Sequence, residues 1–172
     1  LDNFELFNHG YDHVLNQINE KGEMYCEFYN VPLEQQKDHF IKAQKLAKEK
    51  LNITLHTFGA PGNTFDKNTN TAIETVDDLR IWLLGDPSIS KLVLNKRVRI
   101  EDKNYTANYD VFLENYDPAM DYCVLEMHPS NWNVEKLGAF KKILDFLNGK
   151  EMTFLLPYEY YQLTYETSMP PE

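Results

Sequence analysis

The chain's best candidates for chemistry near neutral pH are its histidines. His9 and His13 close the stretch Phe4-Glu5-Leu6-Phe7-Asn8-His9-Gly10-Tyr11-Asp12-His13. On a helical turn their i, i+4 spacing aims two imidazoles at one ion, and neutral imidazole at ~2.0–2.1 Å suits Zn²⁺ and similar divalent metals. The zincin pattern is excluded, because it needs Glu after the first histidine and this chain has Gly10. Gly10 instead allows a sharp turn or the close approach of a ligand. By spacing alone the pair fits hydrogen-bonded surface imidazoles more often than a metal site. A metal site would also need a third protein ligand, for which a carboxylate is the natural choice. His128, in Leu125-Glu126-Met127-His128-Pro129, carries an imidazole, the side chain best suited to general acid work near neutrality, yet by itself it better fits a buried or capping histidine before a strand-ending proline. His39 lies one position off the apolar face of a charged helix and reads as solvated. His56 reads as a satisfied mid-strand histidine. Trp82 and Trp132 read as packing residues, with Trp132 close enough to His128 to wall a pocket.

The elements that must position these groups alternate in type. Residues 4–7 read as a short buried strand ending at His9-Gly10. Pro32 opens a helix whose Leu33, Phe40, Ala43, Ala47 and Leu51 share a face, with Asn52 as its stop. Strands are expected at 53–58, ending in the loop Gly59-Ala60-Pro61-Gly62-Asn63, and at 79–85, 91–100 and 122–129. A second helix, with Leu137, Phe140, Leu144 and Leu147 at helical spacing, stops at Gly149, and a last strand covers 152–157. Residues 64–118 read as long loops with short strands. This order argues an α/β fold with a mainly parallel sheet or barrel. In such folds the loops that follow the strands converge, which would gather His9, His13, Pro61 to Asn63 and His128.

The 172 residues suit a single domain, 1–172, with no break in composition. Ten Phe, 11 Tyr and 2 Trp within a 42% hydrophobic chain exclude disorder. A net charge of −10 argues against nucleic acid and anionic membrane surfaces as partners. No apolar stretch reaches the ~20 residues of a membrane span. Cys26 and Cys123 each sit among apolar or aromatic neighbours, which favours two buried thiols over a disulfide.

Taken together and in order, Glu5-Leu6-Phe7-Asn8-His9-Gly10-Tyr11-Asp12-His13, Thr57-Phe58-Gly59-Ala60-Pro61-Gly62-Asn63, Val124-Leu125-Glu126-Met127-His128-Pro129 and the stretch 147–160 resemble the NodB-like polysaccharide deacetylases of carbohydrate esterase family 4. The resemblance runs over about residues 4 to 165 and implies a distorted (β/α) barrel, here incomplete at its N-terminus. It implies metal-assisted hydrolysis of acetyl groups on a glycan or polysaccharide, N- or O-linked. It also implies a divalent ion, zinc first, with cobalt, nickel or manganese as substitutes. His9 and His13 match the metal ligands, and His128 matches the histidine that protonates the leaving group. Leu125 matches the wall of the acetyl pocket. Gly59, Ala60 and Pro61 match the loop after which the N–H of Gly62 would hold the oxyanion, with Pro61 and Trp132 beside substrate. An extracytoplasmic or cell-envelope location follows from the resemblance alone, and the oligomeric state stays open.

Two departures bear on activity. The family usually has Arg where this chain has Gly59. Its first strand also ends in an Asp-Asp pair, one the base and one the third metal ligand, well before the histidines. Asp2, seven positions before His9, cannot be that pair, so the expectation is a longer protein whose opening strand and helix precede Leu1. The rival expectation is a catalytically inactive domain of this type that binds glycan.

Overall fold

The computed structural model describes residues 3–165, so Asp2 lies outside the described residues. The chain folds as two compact units, one built from residues up to Leu94 together with those from Leu155 onward, the other from Asn95–Phe154.

In the first unit a short antiparallel hairpin, β1 (Gln17–Ile18) and β2 (Met24–Tyr25), precedes helix α1 (Leu33–Leu51). Pro32 stands just before α1 with φ −58° and Asn52 ends it in the left-handed conformation, φ 53°, as a helix stop requires. The buried face of α1 is Gln36, His39, Phe40, Ala43 and Ala47, while Leu51 is exposed. Strand β3 (Thr57–Gly59) is followed by a helical turn, Pro61–Asn63, and by α2 (Lys67–Glu74). Strands β4 (Ile81–Leu83) and β5 (Leu92–Leu94) complete a parallel sheet in the order β3-β4-β5. The core is aromatic: Phe28, Phe40 and Phe58 meet at centroid distances of 4.7–5.0 Å, and Trp82 joins Phe58 at 5.6 Å. Truncating one such ring to Ala costs about 3–5 kcal/mol.

The second unit pairs β6 (Arg97–Arg99) with β7 (Val124–Glu126) in parallel and packs α3 (Tyr109–Asn115) and α4 (Val134–Asn148) around Val98, Ile100, Phe112, Ile143 and Leu147. Helix α5 (Pro157–Thr164) returns to the first unit.

The α/β class and the parallel pairing are as expected, whereas among the described residues the pairing closes no barrel. Several elements differ from the sequence reading. Residues 4–7 form no strand: only Asn8 bridges, to Phe58, and Phe4, Leu6 and Phe7 are exposed. Glu5 spends its carboxylate on the Thr57 hydroxyl and the Tyr158 N–H instead. The run 91–100 splits at Asn95-Lys96 into β5 and β6. Of the expected strand at 152–157, residues 152–156 have no regular structure and Pro157 opens α5, whose Glu159 accepts the Leu156 N–H at 2.8 Å. Two helices, α2 and α3, arise in the stretch read as loops. Asp66 and Asn108 cap their first-turn N–H groups, and the cap, not a long apolar stripe, starts each one.

Candidate functional site

The loop from Asn8 to His13 is anchored at both ends. Asn8 N–H donates to Thr57 O at 2.8 Å and Asn8 O accepts from Gly59 N–H at 3.0 Å, which ties the loop to the C-terminal end of β3. Behind it stands Glu27, 1% exposed. Its carboxylate accepts the N–H groups of Tyr11 (2.5 Å), Asp12 (3.4 Å) and His13 (2.8 Å) and the Nδ1–H of His39 (2.9 Å). Gly10 is required beside it: φ is +86°, and a Cβ there would collide with the Glu27 carboxylate. His39 is thus buried and hydrogen-bonded, not solvated, because Glu27 gives it a partner on the core side of α1. His56 precedes β3 instead of lying within it, and stacks on Tyr158 at 4.0 Å.

Within this frame the rings of His9 and His13 lie 5.0 Å apart, inclined by 60°. Two imidazoles sharing one tetrahedral ion through nitrogens at ~2.1 Å have centroids about 5 Å apart, and the separation of this pair matches that. His9 Nδ1 is 2.8 Å from the Gly59 carbonyl, which can only accept. Nδ1 therefore carries the proton and Nε2 keeps its lone pair for a metal, an orientation that second-sphere partners commonly impose. Both histidines are exposed. Among the described residues no third carboxylate, thiol or imidazole joins them. Asp12, Glu27 and His39 do cluster, with ligating atoms within 4.8 Å, but the N–H donors that converge on Glu27 make that cluster an anchor for the loop and a poor cation cage.

The loop after β3 presents the other group. Gly62, at φ 60°, is the second residue of its helical turn, so its N–H is one the turn itself does not use. A Cβ there would meet Leu15 at 3.0 Å. Pro61 is buried beneath it. At Gly59 a Cβ would lie 3.2 Å from Phe7 Cε2, so the Phe7 ring fills the space that a side chain at 59 would take.

His128, Leu125 and Trp132 belong to the second unit, and the first and last of them are held by a residue that the sequence reading missed. Glu101, 8% exposed, accepts the His128 N–H and Nδ1–H, both at 2.8 Å, and the Trp132 Nε1–H at 3.1 Å. This fixes Nδ1 as the nitrogen that carries a proton and leaves Nε2 outside the contacts with Glu101. Leu125 is half-buried against the Phe112 core. Trp132 is held by Glu101 and packs on Phe140 at 5.2 Å. Nearby Asp102 is kept below the usual carboxylate range, first by the N–H of Asn104 and then by Thr106. Sequence signals for the missed residues existed: Glu27 interrupts the apolar run Tyr25-Cys26-Glu27-Phe28-Tyr29, and Glu101 sits where a strand of alternating residues ends.

No protein-family profile and no curated protein matches this sequence. Solved structures do. The chain is similar to the Xyl-CE4 domain of a multidomain xylanase from the hindgut metagenome of Trinervitermes trinervoides, with 15% identity and a TM-score of 0.60 over 92% of this chain and 64% of that one. It is similar to a family 4 acetyl xylan esterase from Clostridium thermocellum in complex with a cobalt ion, with 12% identity and a TM-score of 0.58 over 91% and 63%. A family 4 carbohydrate esterase from Streptomyces lividans, in complex with acetate, matches with 18% identity and a TM-score of 0.52 over 85% and 62%. The chain thus has the α/β fold of family 4 carbohydrate esterases, and the resemblance carried by its motifs is borne out at the level of the fold. It spans less than two thirds of the length of these relatives.

Proposed function

We propose that this chain is part of a divergent, metal-dependent carbohydrate esterase of the family 4 type that removes acetyl groups from an acetylated glycan. The observation that carries the reading is the His9–His13 pair, 5.0 Å apart with His9 Nε2 left free by the Nδ1 hydrogen bond to Gly59. A divalent ion bound there would act as a Lewis acid on the acetyl carbonyl and on water. His9 and His13 would hold it, and the family resemblance assigns the third ligand and the water-activating carboxylate to an aspartate pair. The Gly62 N–H offers a backbone donor for the developing oxyanion. The family resemblance gives the part of proton donor to the leaving group to His128, whose Nδ1 is engaged by Glu101 within the second unit. Zinc is the first choice of metal for two imidazoles and a carboxylate, with cobalt, nickel and manganese as substitutes.

A second reading, a domain that binds glycan without turnover, is favoured by the Phe7 ring over Gly59, the position where the family resemblance expects Arg. One experiment separates the two. The full-length protein, loaded with Zn²⁺ or Co²⁺, is assayed for acetate release from acetylated xylan and from N-acetylated amino-sugar oligomers, and its metal content is measured beside His9→Ala and His13→Ala. The first reading expects acetate release and loss of metal in both variants. Unchanged metal stoichiometry in the variants overturns the metal assignment, and binding without acetate release selects the second reading.

A further inference from the structure

The loop 101–107 in the second unit presents an aromatic ring that is mostly exposed beside His128. Tyr105 has φ 55°, a conformation that a bulky side chain adopts only under constraint. The constraint is visible. Asp102 accepts the N–H of Asn104 (2.8 Å) and Thr106 (3.3 Å) and the Thr106 hydroxyl (2.9 Å). Asp102 N–H donates to Thr106 O, and Tyr105 N–H to Asp102 O. Glu101 bridges to Ala107 at the base of the loop, and the Tyr105 carbonyl accepts Trp132 Nε1–H at 3.2 Å. The side chain so displayed is 58% exposed, and its ring lies 4.9 Å from that of His128 at 71°.

The geometry points to Tyr105 as a substrate-positioning residue, a platform that stacks on a pyranose ring adjoining the acetyl group handled at His128. A pyranose exposes a patch of C–H groups on one face, and the electron-rich face of a phenol ring is its natural complement. A rigid aromatic beside the proton donor selects for a sugar in the adjoining subsite, so the ligand class is an acetylated oligosaccharide, not a small acetyl ester. This inference rests on the glycan reading of the function.

The test measures binding as well as turnover in the full-length protein. Acetylated xylo-oligosaccharides and N-acetylated chito-oligosaccharides are titrated against wild type, Tyr105→Asn and Tyr105→Phe by NMR, with the Tyr105 ring signals followed directly. Asn tolerates the left-handed conformation, so Tyr105→Asn removes the ring while keeping the turn. The expected result is Kd weakened about three- to tenfold in Tyr105→Asn for one of the two oligosaccharides, restored in Tyr105→Phe, with the melting temperature unchanged. Wild-type affinity in Tyr105→Asn, no binding of either oligosaccharide to wild type, or a melting temperature that falls with the ring overturns the platform. Ring-dependent binding without acetate release leaves the platform standing and overturns only the hydrolytic reading.

Discussion

The carboxylate of Glu27 accepts the backbone N–H of His13 at 2.8 Å and thereby shapes the loop that carries both candidate metal ligands. The same carboxylate serves Tyr11, Asp12 and His39, so four donors depend on one buried side chain. Glu27→Ala leaves them without an acceptor and is expected to cost about 2–4 kcal/mol of stability. Glu27→Gln keeps the shape but turns one acceptor into a donor that faces other donors, so a smaller loss follows. Both variants should bind Zn²⁺ more weakly than wild type, as titration calorimetry would show. Full affinity in folded Glu27→Gln would mean that the histidine pair is set by β3 alone.

Phe7 over Gly59 makes a second prediction. Restoring the arginine that the family resemblance calls for crowds the Phe7 ring, since even a Cβ at 59 comes within 3.2 Å of it. Gly59→Arg should therefore destabilise by about 1–3 kcal/mol. Phe7→Ala frees the space, so the double variant should lose less than the sum of the two single changes. Urea unfolding of all four proteins measures this, and additivity within about 0.5 kcal/mol would show that the two positions do not compete.

Burial pushes the Cys123 thiol above its ordinary 9.0. The folded chain then holds this proton at pH values where the unfolded chain has released it. Stability is retained below the ordinary thiol value and declines as pH rises above it. Cys123→Val should lose less stability than wild type between neutral pH and pH 10. Taking the difference between the two proteins cancels the opposite contribution of Lys91, whose amine burial holds below its usual value. Parallel stability curves would refute the assignment.

What the sequence made legible, and what it did not, divides along physical lines. Long apolar periodicity located α1 and α4, and apolar runs with turn residues located β3, β4 and β7. His9 and His13 do lie side by side, but through a loop shaped by Gly10 and Glu27 and not through the helical turn that their spacing suggests. Short helices were missed because Asp66 and Asn108 define them through capping, which leaves little periodicity over seven or eight residues. Residues 4–7 and 152–157 misled for the opposite reason: their apolar character is real, but Asn8 makes a single bridge and Pro157 redirects the chain into a helix. Glu27 and Glu101 stayed hidden because a carboxylate in an aromatic or strand context declares its role only when its donors, distant in sequence, are brought to it.

Glu101 supplies the last prediction. Its two oxygens accept three N–H groups, from His128 twice and from Trp132, so the protonated nitrogen of His128 is Nδ1 and the reactive one is Nε2. Glu101→Gln must point an amide NH₂ at one of these donors. If that donor is Nδ1–H, the imidazole relieves the clash by moving its proton to Nε2, which removes the lone pair there. Nitrogen-detected NMR of His128 should then report the Nε2–H tautomer in the variant and Nδ1–H in wild type. Acetate release, where the wild type shows it, should fall at least about tenfold in kcat with KM little changed, as for other partners that orient a reactive group. Glu101→Asp, which keeps a carboxylate on a shorter stem, should recover part of the rate. An unaltered tautomer together with an unaltered kcat would mean that Glu101 only braces the loop under Trp132, and that His128 needs no partner to do its work.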